Sequence, residues 1–471
     1  MNNRTAWTFA ITSIALFMVT LDNLVVTTAV PVIRTHLHAS LSSLEWTVNA
    51  YTLTFAVLLL TGAALGDRFG RRRLFTIGVA IFTAGSACAA LAPSIGVLNL
   101  ARAVQGLGGS VVLPLTLTIL SAAVPASKRG LALGAWGGIS GLAVALGPVV
   151  GGAIVQAMSW QWIFWLNVPV GIALVALAWT RLTETRGPAV RLDLPGLSLS
   201  AVGLFAIVWG LVRGNSSGWS SPEIITALAS GAAVIVGFVA WERRAAAPML
   251  PMRLFRNTAF TFANTASLFM YFGMFGSIFL LSQFFQTVQH DSPLGSGLRI
   301  LAWTIVPMFI SPVAGALSDR LTGRTLIGTG LGMQAAGLAW LGLATTPTTT
   351  YPAFIGPFLL AGAGMGLFFA PMANVVLSAV RPAQQGQASG ANNAIRELGG
   401  VLGVAILAAV FASHGGYRTG HAFVAGMDPA LLLGAVVVAA GAAAAFAIPP
   451  GRTAAAFEAA GTDETRQPIT A

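Results

Sequence analysis

The sequence predicts an all-α integral membrane protein with fourteen transmembrane helices: two parallel six-helix bundles plus two helices inserted between them. Three observations carry that expectation. Only 8% of the 471 residues are charged and 56% are hydrophobic, against about 25% charged in an ordinary soluble domain, and the mean hydropathy is +0.80. A water-soluble fold of this size needs more polar surface than such a chain can supply, which excludes a soluble enzyme. Apolar stretches long enough to cross a bilayer recur along the chain, and two long blocks of it repeat one another.

A spanning helix needs roughly 20 mostly apolar residues. Such stretches lie near residues 7–30, 46–65, 75–95, 97–122, 131–157, 162–180 and 197–212, and again near 224–241, 259–285, 298–317, 325–343, 353–379, 388–412 and 429–448. The first follows Met1-Asn2-Asn3-Arg4. It is too long for a signal-peptide core and has no small-residue cleavage site, so it reads as an uncleaved span.

An even number of spans puts both termini on one side, and the basic residues choose the side. Arg68, Arg71, Arg72, Arg73, Lys128, Arg129, Arg181, Arg186, Arg191, Arg243, Arg244, Arg253, Arg256, Arg320, Arg324 and Arg381 all fall in alternate loops. Those loops and both termini are expected in the cytoplasm. The opposite loops hold Arg34, Arg213, Arg299 and Arg418, together with all five histidines, His36, His38, His290, His414 and His421. The histidine spacing does not suggest a metal site. The net charge of +11 is therefore topological, and no nucleic-acid partner is expected. Cys88 is the only cysteine, which excludes a disulfide scaffold, and Lys128 is the only lysine among 25 basic residues, a bias typical of GC-rich bacterial genomes.

The repeat sets the domain boundaries. Leu120-Ser-Ala-Ala-Val-Pro-Ala126 recurs as Leu377-Ser-Ala-Val-Arg-Pro-Ala383, and Pro114 aligns with Pro371. With one residue deleted, Ile139, Leu142, Leu146 and Gly147 match Ile395, Leu398, Leu402 and Gly403. Gly66-Asp67-Arg68-Phe69-Gly70-Arg71 is echoed by Leu317-Ser318-Asp319-Arg320 and Gly323-Arg324. Residues 1–185 form one six-helix bundle, 186–257 the inserted helices with their linkers, 258–450 the second bundle, and 451–471 a disordered cytoplasmic tail. Parallel repeats of this kind place a substrate site at their interface near the membrane midplane.

Most acidic residues fall in loops or at helix ends, but Asp22 and Glu397 lie inside spans, as do Arg102 and Arg396. A charge at the centre of a span costs roughly 2.5–3.5 kcal/mol on insertion scales and faces a bundle interior or an aqueous cavity. With the first helix ending at Val30, Asp22 lies about 12 Å below that surface, and Arg102 about 8 Å below it, within reach of each other. In the repeat, Glu397 aligns with Gly141, so its carboxylate is not a scaffold feature. A carboxylate poised between burial and a neighbouring arginine can exchange a proton as its cavity changes sides. The alternative is an Asp22–Arg102 pair that only fixes packing.

These residues bring a resemblance with them. Gly66-Asp67-Arg68-Phe69-Gly70-Arg71-Arg72-Arg73 resembles the loop 2–3 signature of the major facilitator superfamily, with Ala63 where the family's leading glycine usually stands and Gly62 one place earlier. Gly70 permits a tight turn, and Asp67 and Arg71 are suited to a charge latch, flanked by Arg68 and Arg72, which the resemblance implies favours the outward-open state. Arg102-Ala-Val-Gln-Gly106 resembles the helix 4 motif, whose arginine is implicated in proton transfer. Gly147-Pro148-Val-Val-Gly151-Gly152 resembles the helix 5 motif that marks exporters working by antiport. There the glycines allow close helix approach and Pro148 bends the helix. Leu21-Asp22-Asn23-Leu24-Val25-Val26 and Ser159-Trp160-Gln161-Trp162-Ile163-Phe164-Trp165-Leu166-Asn167-Val168-Pro169 resemble stretches of the fourteen-helix drug:proton antiporter branch, with Asn23 where a small or hydroxylated residue is common. The resemblance runs to about residue 450.

It implies the major facilitator fold and a proton-coupled antiporter, a monomer in the bacterial inner membrane, exporting hydrophobic or cationic small molecules such as drugs, antibiotics or dyes. It implies no enzyme activity and no cofactor beyond the proton gradient. Asp22, Arg102 and Glu397 are the expected proton-coupling groups. Asp67, Arg68, Gly70, Arg71, Arg72, Gly147, Pro148, Gly151 and Gly152 are the expected gating groups. Asn49, Tyr51, Trp136, Tyr271, Phe272, Gln283, Phe368, Asn392 and Asn393 supply the polar and aromatic lining of a substrate cavity, which suits lipophilic cations. Trp160, Trp162 and Trp165 read as interfacial anchors. A dedicated single-antibiotic exporter, a proton-coupled importer and a non-transporting receptor are the alternatives.

Overall fold

The computed structural model describes residues 3–449 except 125, 187–191, 318–320 and 381–383. Arg191, the Ser318-Asp319-Arg320 echo, Arg381 and the expected tail at 451–471 lie outside the described residues, as do the side chains of Lys128 and Arg129. The described residues form sixteen α-helices and no strand. In hydrocarbon, every backbone N–H and C=O must be satisfied within its own segment, and a helix does this residue by residue.

The first half holds α1 (Asn3–His36), α2 (Leu41–Phe69), α3 (Arg71–Ala90), α4 (Ile95–Ala123), α5 (Ala126–Ala157), α6 (Trp162–Trp165) and α7 (Asn167–Arg181). The insert is α8 (Leu194–Ser217) and α9 (Pro222–Glu242), followed by a short 3-10 helix, Met252–Arg256. The second half holds α10 (Thr258–Thr287), α11 (Pro293–Thr304), α12 (Val306–Leu317), α13 (Gly323–Ala344), α14 (Pro352–Ser378), α15 (Gln385–His414) and α16 (Gly420–Phe446). Twelve helical stretches are long and apolar enough to cross a membrane, with α6–α7 and α11–α12 each counted as one. The bent α2 makes a thirteenth, its two parts meeting at 51°. At 32 residues, or about 48 Å, α5 is long enough to be the fourteenth.

Local chemistry sets the ends. Ser94, Ser221, Ser292 and Thr419 each accept a backbone N–H from three residues on, the N-cap contact that turns the chain back into the bilayer. Pro222, Pro293 and Pro352 stand in first turns, where a missing N–H costs nothing. The α11–α12 break falls at Ile305, just before Pro307, because that ring cannot donate to the preceding turn.

In the first half α4 packs against α1, α2 and α3, and α5 against α1; in the second α10 packs against α15 and α16, and α13 against α14 and α16. The halves meet along α2–α15, α5–α11 and α1–α10. The first two seams are equivalent under the repeat, because α2 corresponds to α11–α12 and α5 to α15. The insert packs as a pair, with α8 resting on both α2 and α15. Of the apolar stretch of α9 only 17% is buried, against 89% for α10, so α9 faces lipid and α10 the interior.

The end of the bundle away from the termini is closed. Ser282 donates to the Thr27 carbonyl at 3.1 Å and Gln286 to the Thr28 carbonyl at 2.8 Å, tying α10 to α1. Gly152 lies against the Pro293 carbonyl and Gly297 against that of Pro148, so close that no Cβ fits at either glycine.

Two sequence expectations change. Helix α1 continues to His36 rather than ending at Val30, so Asp22 lies 14 residues, about 21 Å, from that end. Trp160 is no interfacial anchor: it is 1% exposed, edge-on to Phe164 at 6.1–6.2 Å from both that ring and His36, whereas Trp162 is 49% exposed. Trp160→Ala should therefore cost about 3–5 kcal/mol through the cavity it leaves and lower the melting temperature in detergent well below that of Trp162→Ala; equal shifts would return Trp160 to the interface.

Candidate functional site

The first half closes around Asp22. Its position midway along α1 makes the carboxylate 3% exposed, with helices on all sides. One oxygen, Oδ2, receives the Arg102 guanidinium from α4. The other, Oδ1, accepts from Asn167 of α7 at 2.7 Å and from Gln105 of α4 at 3.3 Å. Both amides also reach Ser86 of α3 at 3.0 Å, and Ser86 donates to the Phe164 carbonyl at 3.0 Å. Arg102 completes the cage from α2: its Nε donates to the Thr47 carbonyl at 3.2 Å, and its guanidinium lies 4.3 Å from the Tyr51 ring centre. Four helices and the first turn of α7 thus meet at one carboxylate. Arg102, Ser86 and Gln105 are fully enclosed.

This is an ion pair in apolar surroundings, where mutual attraction repays desolvation only if the remaining donors and acceptors are filled. Both Asp22 oxygens are filled, but Arg102 keeps Nη2 buried without a hydrogen-bond partner. The arrangement can hold one charge pair without water.

The second acid is differently placed. Glu397, on α15, is half-buried with Oε2 unpartnered. Its neighbour Arg396 turns away to the Tyr271 hydroxyl of α10 and to Asn393 Oδ1 at 3.2 Å, and lies over the Tyr271 ring at 4.4 Å. Glu397 lies within electrostatic range of Tyr51, whose ring the Arg102 guanidinium covers.

The expected lining residues divide into groups. Tyr271 and Asn393 hold Arg396, and Tyr51 lies under Arg102. Phe272 is buried beside the Gly403 backbone, and Phe368 packs on Phe369 at 6.0 Å, whose ring lies 6.4 Å from Tyr271. Asn49 is fully buried with both ends of its amide unpartnered. Three stand apart. Trp136 donates to Thr116 at 3.2 Å, Asn392 donates to Asn264 and Ser267 at 3.0 Å, and Gln283 accepts from Tyr417 near the closed end.

Among the expected gating residues, Arg71 pairs with Asp67 at 2.7 Å. Gly70 turns the chain at φ +108°, where a Cβ would lie 2.8 Å from the Glu184 carboxylate, a conformation open to glycine alone at low cost. Glu184 accepts the Arg72 and Arg73 backbone N–H groups at 3.0 and 3.2 Å, with Arg72 Nε 3.7 Å away. Arg68 lies 5.2 Å from the Phe69 ring. Among the described residues this latch stays within the first half. On α5, Gly147 lies against Leu24 and Gly151 against Val25 and Thr28 of α1, while Pro148 and Gly152 face α11.

Sequence reasoning missed Ser86, Gln105, Asn167, Glu184 and Glu45. Gln105 and Asn167 lie inside the helix 4 and Trp-rich stretches; a single serine in an apolar helix carries no signal. Glu45 fell one residue outside the expected second span, but α2 begins at Leu41 and the side chain is 3% exposed.

A profile of the Major Facilitator Superfamily matches residues 12–404, and a second match covers 263–468. The chain is 35% identical over 415 residues to the multidrug resistance protein Stp of Mycobacterium tuberculosis, covering 88% of this chain and 77% of that one. It is 32% identical to the tetracenomycin C resistance and export protein of Streptomyces glaucescens, covering 86% and 75%. Among solved structures, a bacterial homologue of the human lysosomal transporter Spinster, in an inward-facing conformation, superposes with a TM-score of 0.69 at 16% identity over 95% of this chain and 97% of that one.

The cage makes a graded stability prediction. Arg102→Ala leaves a buried carboxylate unpaired and should cost about 3–5 kcal/mol; Asn167→Leu removes one donor and should cost about 1–3 kcal/mol. Melting temperatures in detergent should follow that order, and the Asp22→Asn/Arg102→Gln double variant should recover part of the loss because no charge stays buried alone.

Proposed function

This chain belongs to the major facilitator superfamily, and on that premise we propose that it is a proton-driven antiporter that expels lipophilic or cationic drugs and antibiotics across a bacterial inner membrane. It acts as a multi-pass transporter rather than an enzyme, monomeric, with both termini in the cytoplasm and the closed end facing outward. The observation that carries the reading is the enclosed Asp22–Arg102 pair, which joins α1 to α2, α3, α4 and α7. A proton on Asp22 dissolves the pair and leaves Arg102 with Gln105, the Thr47 carbonyl and the Tyr51 ring. The cage that fixes those helices then loosens, and the bundle can reorient about the α2–α15 and α5–α11 seams. The gradient supplies the work, about 2.3 kcal/mol per charge per 100 mV.

Glu397 gives substrate a reason to compete. Its free oxygen beside Tyr51, Tyr271 and the nearby aromatic rings suits a monovalent organic cation held by charge and by π-faces. Asn49 offers both a donor and an acceptor to a polar substituent. The names of the relatives, one for multidrug resistance and one for a single antibiotic, support export and leave its breadth to a substrate panel.

In everted vesicles, Asp22→Asn should abolish the uncoupler-sensitive part of dye uptake; undiminished proton-dependent transport would sink the assignment. Glu397→Gln should raise KM for cationic dyes by about tenfold or more while neutral substrates change by less than about twofold, the loss expected for one charged contact. Equal effects on both classes would remove Glu397 from substrate binding.

A further inference from the structure

Glu45 is a third acid inside the bundle, and the mechanism above does not use it. It is the fifth residue of α2, 3% exposed, with Oε2 buried and unpartnered. Asn49, four residues on along the same face, is fully buried and unpartnered. A turn beyond, Leu53 packs with Val401 and Ala405 of α15. This face of α2 therefore looks across the seam between the halves, and Glu45 lies at its closed end.

The roof of that end is Tyr417, in the connection between α15 and α16. Its hydroxyl donates to Gln283 of α10, and the Arg34 guanidinium of α1 covers its ring at 3.6 Å. Glu45 is near enough for its charge to act on Tyr417. Burial pushes the Tyr417 hydroxyl up, more than Arg34 pulls it down, so the roof stays a neutral donor. Of the charged and titratable groups on the surrounding helices, Arg102 of α4 holds Asp22, Arg213 of α8 pairs with Glu223 at 3.4 Å, and Arg396 of α15 holds Tyr271. His36 of α1 lies against Trp160, His414 of α15 contacts Ser413 and the Val410 carbonyl, and Glu397 of α15 keeps one oxygen unpartnered. Among the described residues, no arginine, lysine or histidine nitrogen comes within 4.0 Å of the Glu45 carboxylate.

We propose that Glu45 is a second proton-binding site, separate from Asp22, through which external protons close the outer end of the transporter. An ionised carboxylate buried here has no cation among the described residues within 4.0 Å and leaves Oε2 unsatisfied, a penalty the neutral protonated form largely avoids. Opening the seam admits water and removes the penalty from the ionised form. Closure therefore takes one proton from the outer solution onto Glu45 and opening returns it to the same side. That proton does not cross, so Glu45 sets the open-to-closed ratio rather than the stoichiometry. The site rests on the transport reading only for which side is outside.

The test needs neither substrate nor gradient. In a Cys88→Ser background, Ser282→Cys places a thiol on the α1–α10 contact that must part when the outer end opens. Uncoupled right-side-out vesicles are treated with a membrane-impermeant maleimide from about pH 5.5 to about pH 8.5, and each rate is divided by that of the Glu45→Gln variant at the same pH, which cancels the thiol's own titration. A single linked proton makes that ratio rise with pH, by up to about tenfold per unit. Glu45→Asp should keep the slope. A flat ratio overturns the proposal. If Asp22→Asn leaves transport intact, the coupling assignment fails while the Glu45 slope stands.

Discussion

The first half is organised by the need to keep one carboxylate satisfied away from water. Apolar helices in lipid have no hydrophobic driving force toward one another, so greasy side chains alone do not select one register. Asp22 does. Arg102, Gln105 and Asn167 must all arrive at the same two oxygens, and Ser86 accepts from the Gln105 and Asn167 amides behind them, which fixes the height and rotation of α1, α3, α4 and α7 together. The second half settles its register by other means. Phe284, Phe285, Phe354, Phe358 and Trp303 interlock with ring centres 5.1–6.2 Å apart, and the buried knot of Asn392 with Asn264 and Ser267 is uncharged. Two copies of one scaffold have thus diverged into a bundle built round a buried ion pair and a bundle packed largely through aromatic rings.

The repeat explains why the seams behave as a pair. α2 on α15 and α5 on α11 are the same contact made twice, in the orientation that parallel repeats require. Small residues allow the close approach at α5–α11, where Gly152 and Gly297 meet the backbones of Pro293 and Pro148. At α2–α15 the contact is between branched side chains, Leu53 and Val57 with Val401. The insert breaks the symmetry further, since α8 packs against α2 and α15 and shields that seam from lipid.

Much of this was legible in the sequence. Fourteen apolar stretches, a shared motif either side of the insert, and a charge inside each of α1 and α4 were enough to give the architecture and to bring Asp22 and Arg102, 80 residues apart, into reach. The neutral partners were not legible: a serine, glutamine or asparagine in an apolar helix reads the same whether it caps a carboxylate or faces a neighbouring backbone. Trp160 misled because tryptophans in a row near a span end usually mark the interface, and nothing local reveals that one of them turns inward. Glu45 was hidden by a boundary. Hydropathy ends a span where polar residues begin, whereas α2 starts at Leu41 and continues past that point as buried helix.

The three acids differ in what surrounds them, and those surroundings divide their roles. Asp22 has all its contacts satisfied, so any change in its protonation must be transmitted to the helices that satisfy it. Glu397 has an oxygen to spare beside aromatic rings, so a ligand can add to it without dismantling the fold. Glu45 is buried with one oxygen unpartnered and, among the described residues, no ion pair, so charging it there is costly while the end above it is closed. A buried pair, a half-open acid and a sealed acid are three answers to the same desolvation problem. On the proposed reading, each would couple the proton to a different motion: rearrangement of a bundle, occupancy of a site and closure of a seam.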